Sequence, residues 1–348
     1  MVIVMAPSCT DAQLEDVVAH VRTAGGSAFV SRGVTRTIVG VVGTEEVLET
    51  LDVGLLPGVG EVVRITAPYK LVSSENHQSR STVSVRGVPI GPETFTLIAG
   101  PCAVESAEQT LAAAQQARRA GATLLRGGAY KPRTSPYAFQ GLGVDGLRIL
   151  AEVSAETGLP VVTEVVDAAD VDVVARHADM LQVGTRNMQN FPLLQAVGGA
   201  GKPVLLKRGL TATYEEWLMA AEYVAQRGNL DIVLCERGVR SFEPAIRNML
   251  DVSAVPMVHS LSHLPVIVDP SHAAGRRDLV LPLARAAMAA GADGVMVDVH
   301  PEPEKALCDG AQALSGGLLD ELTIAVATIP PLLGRRGAVT AGPVVTAR

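Results

Sequence analysis

The sequence predicts a (β/α)8 barrel preceded by a small ferredoxin-like domain, and three observations carry that reading. Residues 1–67 follow the order strand, helix, strand, strand, helix, strand. From Phe95 onward a strand–helix beat repeats eight times. The 348 residues are 48% hydrophobic but only 3% aromatic, which suits parallel strands of Val, Leu and Ile buried under Ala-rich helices. An open doubly wound sheet is the alternative; eight regular repeats favour closure.

In the first domain the expected strands are Val2–Ala6, Ser27–Ser31, Thr35–Val42 and Val59–Thr66. The helices are Asp11–Thr23, capped by Thr10, and Glu45–Leu51, capped by Thr44, because each threonine hydroxyl can accept an orphan amide of the first turn. This domain, 1–67, gathers no cluster of catalytic side chains, so an accessory or regulatory role is expected. Residues 68–94 read as a polar linker, Tyr69–Ser81, and a short hairpin, Thr82–Ile90, broken at Arg86-Gly87.

The barrel is expected over 95–334. Its strands are Thr96–Gly100, Thr123–Gly127, Pro160–Val165, Met180–Gly184, Pro203–Lys207, Ile232–Glu236, Pro265–Asp269 and Gly294–Val299. Clear helices are Ala107–Ala120, Val144–Thr157, Tyr214–Arg227 and Leu279–Ala290. The tail, 335–348, is expected to be disordered.

Charge and composition exclude several classes. With 29 Lys+Arg against 36 Asp+Glu the formal net charge is −7, which argues against a nucleic-acid surface. The longest apolar runs fall short of the roughly 20 residues of a membrane span. Without a signal-peptide pattern, the four cysteines suit a reduced, cytoplasmic protein.

Barrel active sites lie at the carboxyl ends of the strands, and here those ends carry charged and ligating side chains. Arg126, Lys131, Arg133, Arg186, Lys207 and Arg237 are cations expected to converge on one mouth. Their mutual repulsion calls for anions between them, and six cations exceed the needs of one phosphate. Two anionic substrates, or one doubly anionic one, are implied. Cys102, His272, Asp298 and Asp309 form a second set, sound ligands for Mn2+, Fe2+, Co2+ or Zn2+. Taken singly, Cys102 reads as a small buried thiol and His272 as a hydrogen-bonded loop residue. Together at one barrel mouth they point to a metal site.

The motifs Ile98-Ala-Gly-Pro-Cys-Ala-Val-Glu105, Leu125-Arg-Gly-Gly-Ala-Tyr-Lys-Pro-Arg-Thr-Ser-Pro136, Leu234-Cys-Glu-Arg-Gly238, Val268-Asp-Pro-Ser-His272 and His300-Pro-Glu-Pro-Glu-Lys305 resemble 3-deoxy-D-arabino-heptulosonate 7-phosphate (DAHP) synthases of the type Iβ group. The resemblance covers nearly the whole chain. It implies condensation of phosphoenolpyruvate with erythrose 4-phosphate, the first step of the shikimate pathway. It assigns Arg126, Lys131, Arg186, Lys207 and Arg237 to phosphoenolpyruvate, and Lys131, Pro132, Arg133, Thr134 and Ser135 to erythrose 4-phosphate. Lys131, Glu164 and Asp269 are the implied catalytic residues. Cys102, His272, Asp298 and Asp309 are the implied ligands of the divalent ion, and an aromatic amino acid effector and a homotetramer are also implied.

Three residues depart from the family pattern. Asp298 stands where glutamate is usual, and the lost methylene withdraws the carboxylate by about 1.5 Å. Ligand distances tolerate only about 0.2 Å, so weaker or altered metal preference is expected. Cys308 replaces a serine and is expected near Cys102, as an inert thiol or an oxidation-sensitive pair. Phe29 occupies a place where tyrosine-inhibited relatives carry histidine, while Ser31 keeps the effector-binding pattern. The rival readings are the related octulosonate 8-phosphate synthase and a catalytically weakened paralogue acting as a regulatory partner.

Overall fold

The computed structural model describes residues 1–337 except 34–35, 64–66, 78 and 134; residues 338–348 also lie outside the described part. The first domain contains β1 (Val2–Met5), β2 (Ser27–Arg32), β3 (Thr37–Val42) and β4 (Val59–Val63), in the sheet order β2-β3-β1-β4. All three pairings are antiparallel. The expected strand residues Thr35 and 64–66 fall outside the described residues. Helix Asp11–Thr23 begins with a capping box, in which the Thr10 hydroxyl accepts from Gln13 N and the Gln13 side chain accepts from Thr10 N.

Strand alternation gives this sheet two apolar faces. Ile3, Met5, Val39 and Val41 pack with Leu14, Val17 and Val21 of the helix. Val2, Val4 and Ile38 point the other way and join Tyr69, Leu71 and Val72 in the core shared with the barrel.

The stretch expected as a polar linker is therefore no loose tether. Leu71 and Val72 are buried, and both donate their amides to the buried Glu222 carboxylate at 2.8–3.1 Å. A carboxylate satisfying two buried backbone donors ties the connector to helix Tyr214–Ala225. The sequence reading failed here because Ser and Asn around Tyr69, Leu71 and Val72 masked a short apolar anchor.

The hairpin pairs β5 (Val83–Val85) with β6 (Val88–Ile90). Arg86 (φ 47°) and Gly87 (φ 84°) are both left-handed, as a two-residue primed turn requires. Val83, Val85, Val88 and Ile90 form the barrel's floor, packing with Ile98, Leu124, Val162, Met180, Leu205, Val233, Ile267 and Met296.

Above that floor stand eight parallel strands: β7 (Thr94–Gly100), β8 (Leu124–Arg126), β9 (Val161–Val165), β10 (Met180–Val183), β11 (Val204–Lys207), β12 (Ile232–Glu236), β13 (Val266–Val268) and β14 (Gly294–Asp298). The ring closes through β14 and β7, in register from Gly294↔Thr96 to Asp298↔Gly100. The barrel is thus closed, not an open sheet. Helices Ala107–Arg119, Val144–Thr157, Tyr214–Ala225 and Arg277–Ala289 stand within three residues of their expected bounds. Among the described residues no helix is long and apolar enough to cross a membrane.

The tail departs from expectation at its start. β15 (Arg336–Gly337) pairs with β7, and the buried Arg335 binds Asp293 Oδ1 at 2.6 Å. Disorder was expected from 335 because the charged partner lies 42 residues away and leaves no local trace. Residues 338–348 lie outside the described residues.

Candidate active site

The strand ends feed one cavity of about 540 Å3 at the barrel's carboxyl mouth. Its wall includes all six cations named from the sequence: Arg126, Lys131, Arg133, Arg186, Lys207 and Arg237. Pro132, Ser135, Glu164, His272, Cys308 and Asp309 line it too, while Thr134 lies outside the described residues. Cys102, Asp269 and Asp298 are buried against these side chains.

Local backbone brings them together. At the end of β7, Gly100 (φ 154°) lies so close to β8 that a Cβ would stand 2.1 Å from Arg126 O. Only glycine permits that approach, and it lets Cys102 follow directly beside Arg126. Gly184 leaves room for Glu164, whose Oε1 would be 1.9 Å from an added Cβ. Glu164 Oε2 accepts from Gln182 Nε2 at 3.0 Å. Asp269 caps the short helix Pro270–Ala274, accepting from His272 N at 2.9 Å and so fixing the imidazole above β13. Asp309 adopts a left-handed conformation (φ 55°) uncommon for a residue other than glycine, and this strained turn presents its carboxylate to the cavity.

The thiol, imidazole and carboxylates meet. Cys102 Sγ lies 3.6 Å from His272 Nε2, 3.1 Å from Asp309 Oδ2 and 3.7 Å from Cys308 Sγ. His272 Nε2 lies 3.6 Å from Asp298 Oδ2 and 3.9 Å from Asp309 Oδ2. Cations flank the cluster: Lys131 Nζ is 3.1 Å from Cys102 Sγ, Arg126 NH1 is 2.9 Å from Asp298 Oδ1, and Arg247 NH2 is 3.0 Å from Asp309 Oδ1. Lys207 Nζ contacts Asp269 Oδ2 at 2.5 Å, and the same carboxylate orients the His272 ring through Nδ1 at 2.9 Å.

A profile of the DAHP synthetase I family matches residues 72–330, and a profile of the DAHP synthase ferredoxin-like domain matches residues 1–67. The chain belongs to the DAHP synthetase I family. It is an enzyme of that family. A Thermotoga maritima phospho-2-dehydro-3-deoxyheptonate aldolase is 48% identical over 334 residues, covering 96% of this chain and 99% of the relative. A crystal structure of a Thermotoga maritima protein of that name, also called DAHP synthase, superposes with a TM-score of 0.77 at 47% identity, covering 97% of this chain and 98% of the other. A 2-dehydro-3-deoxyphosphooctonate aldolase of Syntrophotalea carbinolica is 37% identical over 243 residues, 64% of this chain and 86% of the relative.

Within this DAHP synthetase I barrel the charges tune one another. Burial opposes the charged imidazole, yet Asp269 and Asp298 together push His272 up to about 9. Burial likewise opposes ionised Asp309, but His272 and Arg247 hold its carboxyl well below the usual range. The Cys102 thiol is pushed up by its hydrogen bond with Cys308 and by burial. A deprotonated Cys102 therefore needs a further positive partner.

Some residues surfaced only in three dimensions. Arg240, Arg247 and Gln182 line the cavity. Gln182 was available from strand alternation, since Met180, two residues earlier on β10, faces the barrel interior. Arg240 and Arg247 lie on the irregular stretch after β12, where the only signal was two further cations following Arg237. Conversely Arg208 and Glu236, both at strand ends, satisfy each other at 2.9 Å, and Arg208 also binds Asp251 at 2.8 Å. Phe29 and Ser31 lie on β2 of the first domain; Phe29 is half-buried, and Ser31 is fully buried with no hydrogen-bond partner for its Oγ among the described residues.

Proposed function

We propose that this chain condenses phosphoenolpyruvate with D-erythrose 4-phosphate and water, giving DAHP and inorganic phosphate. The observation that carries the reading is a single cavity walled by eight cations, the six named from the sequence plus Arg240 and Arg247, with a thiol–imidazole–carboxylate cluster at its base. Two phosphorylated substrates account for that excess of positive charge.

The donor set suits a divalent ion. Cys102, His272 and Asp298 offer S, N and O atoms within 4.8 Å of one another. Asp298 Oδ1 is buried and receives no aligned hydrogen bond, although Arg126 NH1 lies 2.9 Å away, so it keeps a lone pair for a ligand. Cys102, His272, Asp298 and Asp309 would hold Mn2+, Fe2+, Co2+ or Zn2+. Such an ion, when bound, supplies Lewis acidity to the aldehyde oxygen.

The protein's own groups do the rest. Arg126, Lys131, Arg186, Lys207 and Arg237 clamp the phosphate and carboxylate of phosphoenolpyruvate. Lys131, Pro132, Arg133, Thr134 and Ser135 receive erythrose 4-phosphate, with Arg133 toward its phosphate. As C3 of phosphoenolpyruvate bonds to the aldehyde carbon, C2 becomes electron-deficient and the aldehyde oxygen gains charge. Lys131 Nζ donates a proton to that oxygen; burial opposes its charge, but Cys102 keeps its pKa raised. Glu164 and Asp269 position the water that adds to C2, after which the C–O bond to phosphate breaks.

In the same reading the first domain senses an aromatic amino acid through the half-buried Phe29 and the buried Ser31 of β2, and the chain assembles as a homotetramer in the cytoplasm. Closure over the barrel mouth inhibits only when the effector binds the closed state better.

Sugar selectivity tests the reaction. Phosphate release with erythrose 4-phosphate but not with arabinose 5-phosphate supports it; the opposite preference transfers the chain to octulosonate 8-phosphate synthesis. No release with either sugar supports the paralogue reading.

A further inference from the structure

The metal cluster contains one donor more than the four assigned above. Cys308 is buried, 5% exposed, and its Sγ stands 3.7 Å from Cys102 Sγ and 3.3 Å from Asp309 Oδ2. Cys102, Cys308 and Asp309 together place S, S and O atoms within 4.8 Å of each other. Two sulfurs bound at about 2.3 Å to one tetrahedral ion stand roughly 3.8 Å apart, and a sulfur and an imidazole nitrogen roughly 3.6 Å apart. The observed separations, 3.7 Å for the sulfurs and 3.6 Å for Cys102 Sγ to His272 Nε2, match both values.

Charge points the same way. Each sulfur has a cationic donor: Lys131 Nζ at 3.1 Å from Cys102 Sγ and Arg133 NH1 at 2.7 Å from Cys308 Sγ. Asp298 Oδ2 accepts from Gln312 Nε2 at 2.7 Å, which leaves Oδ1 as its one donor atom toward a ligand.

We propose that Cys308 is a metal ligand in this chain, giving the site a second thiolate beside Cys102. The inference rests on the metal-site reading above and deepens it. Two soft sulfur ligands shift preference toward Zn2+ and Co2+ and away from Mn2+.

The test uses the full chain loaded with Co2+, whose sulfur-to-cobalt charge-transfer absorption in the near ultraviolet grows with the number of thiolates bound. Wild type is expected to show about twice the intensity of Cys308→Ser, and Cys102→Ser is expected to match Cys308→Ser. If Cys308→Ser keeps the full band and Cys102→Ser abolishes it, Cys308 is no ligand, and the four-residue site stands unharmed. If wild type binds Co2+ without any such band, both readings fall. X-ray absorption of the Zn2+-loaded wild type needs no variant: two sulfur scatterers at about 2.3 Å support the proposal and one overturns it.

Discussion

Arg126 NH1 stands 2.9 Å from Asp298 Oδ1, with the two side chains only 3% and 0% exposed. A guanidinium held so deep needs its carboxylate, because breaking a buried pair strands a charge. Asp298→Asn keeps the shape and removes the charge. Its metal-free form is expected to lose about 3 kcal/mol in denaturant unfolding. Unchanged stability would mean that Arg126 is neutralised by some other group.

Arg186 follows β10 in a short turn and lines the cavity. Its assigned work is ground-state grip on an anion. Arg186→Ala should raise the KM for phosphoenolpyruvate about 10- to 100-fold, the worth of one charged hydrogen bond, with a smaller change in kcat. A fall in kcat at constant KM would place Arg186 in the chemical step instead.

The strands and the cations were legible in the sequence for the same reason. Parallel strands buried on both faces are continuous β-branched runs, so their ends stand out, and a charged residue at such an end has few places to point. Cys102, His272, Asp298 and Asp309 lie on three different strand ends and one loop, yet the closed ring sets Cys102 beside both His272 and Asp309, and His272 beside Asp298. What stayed hidden depends on distant partners. Glu222 as the anchor of Leu71 and Val72, Arg335 as the mate of Asp293, and Arg247 as the mate of Asp309 leave no periodic or local mark.

His263 lies at the opposite end of the barrel, with Nδ1 2.8 Å from Ser81 Oγ and Nε2 3.0 Å from Leu71 O. Burial pushes its pKa down to about 4, from 6.5 in the unfolded chain. Folding thus favours the neutral ring. The stabilisation is complete above pH 6.5 and is lost as the pH falls toward 4, a total of about 3 kcal/mol. Unfolding measured from pH 7 to pH 4 should therefore show a shallower loss in His263→Gln than in wild type. Equal slopes would assign the acid sensitivity to other groups.

The half-buried Phe29 ring on β2 offers no hydrogen bond to a phenolic hydroxyl. Inhibition by phenylalanine, or none, is expected when each aromatic amino acid is added to the assay. Potent inhibition by tyrosine alone would refute the role given to Phe29.

The account turns on an ion held by Cys102, His272, Asp298 and Asp309, and one measurement reaches it directly: phosphate release from phosphoenolpyruvate plus erythrose 4-phosphate, before and after treatment with a strong chelator. The expected result is loss of at least about 100-fold in turnover, restored by adding back Zn2+, Co2+ or Mn2+. Full turnover that persists in chelator would contradict it.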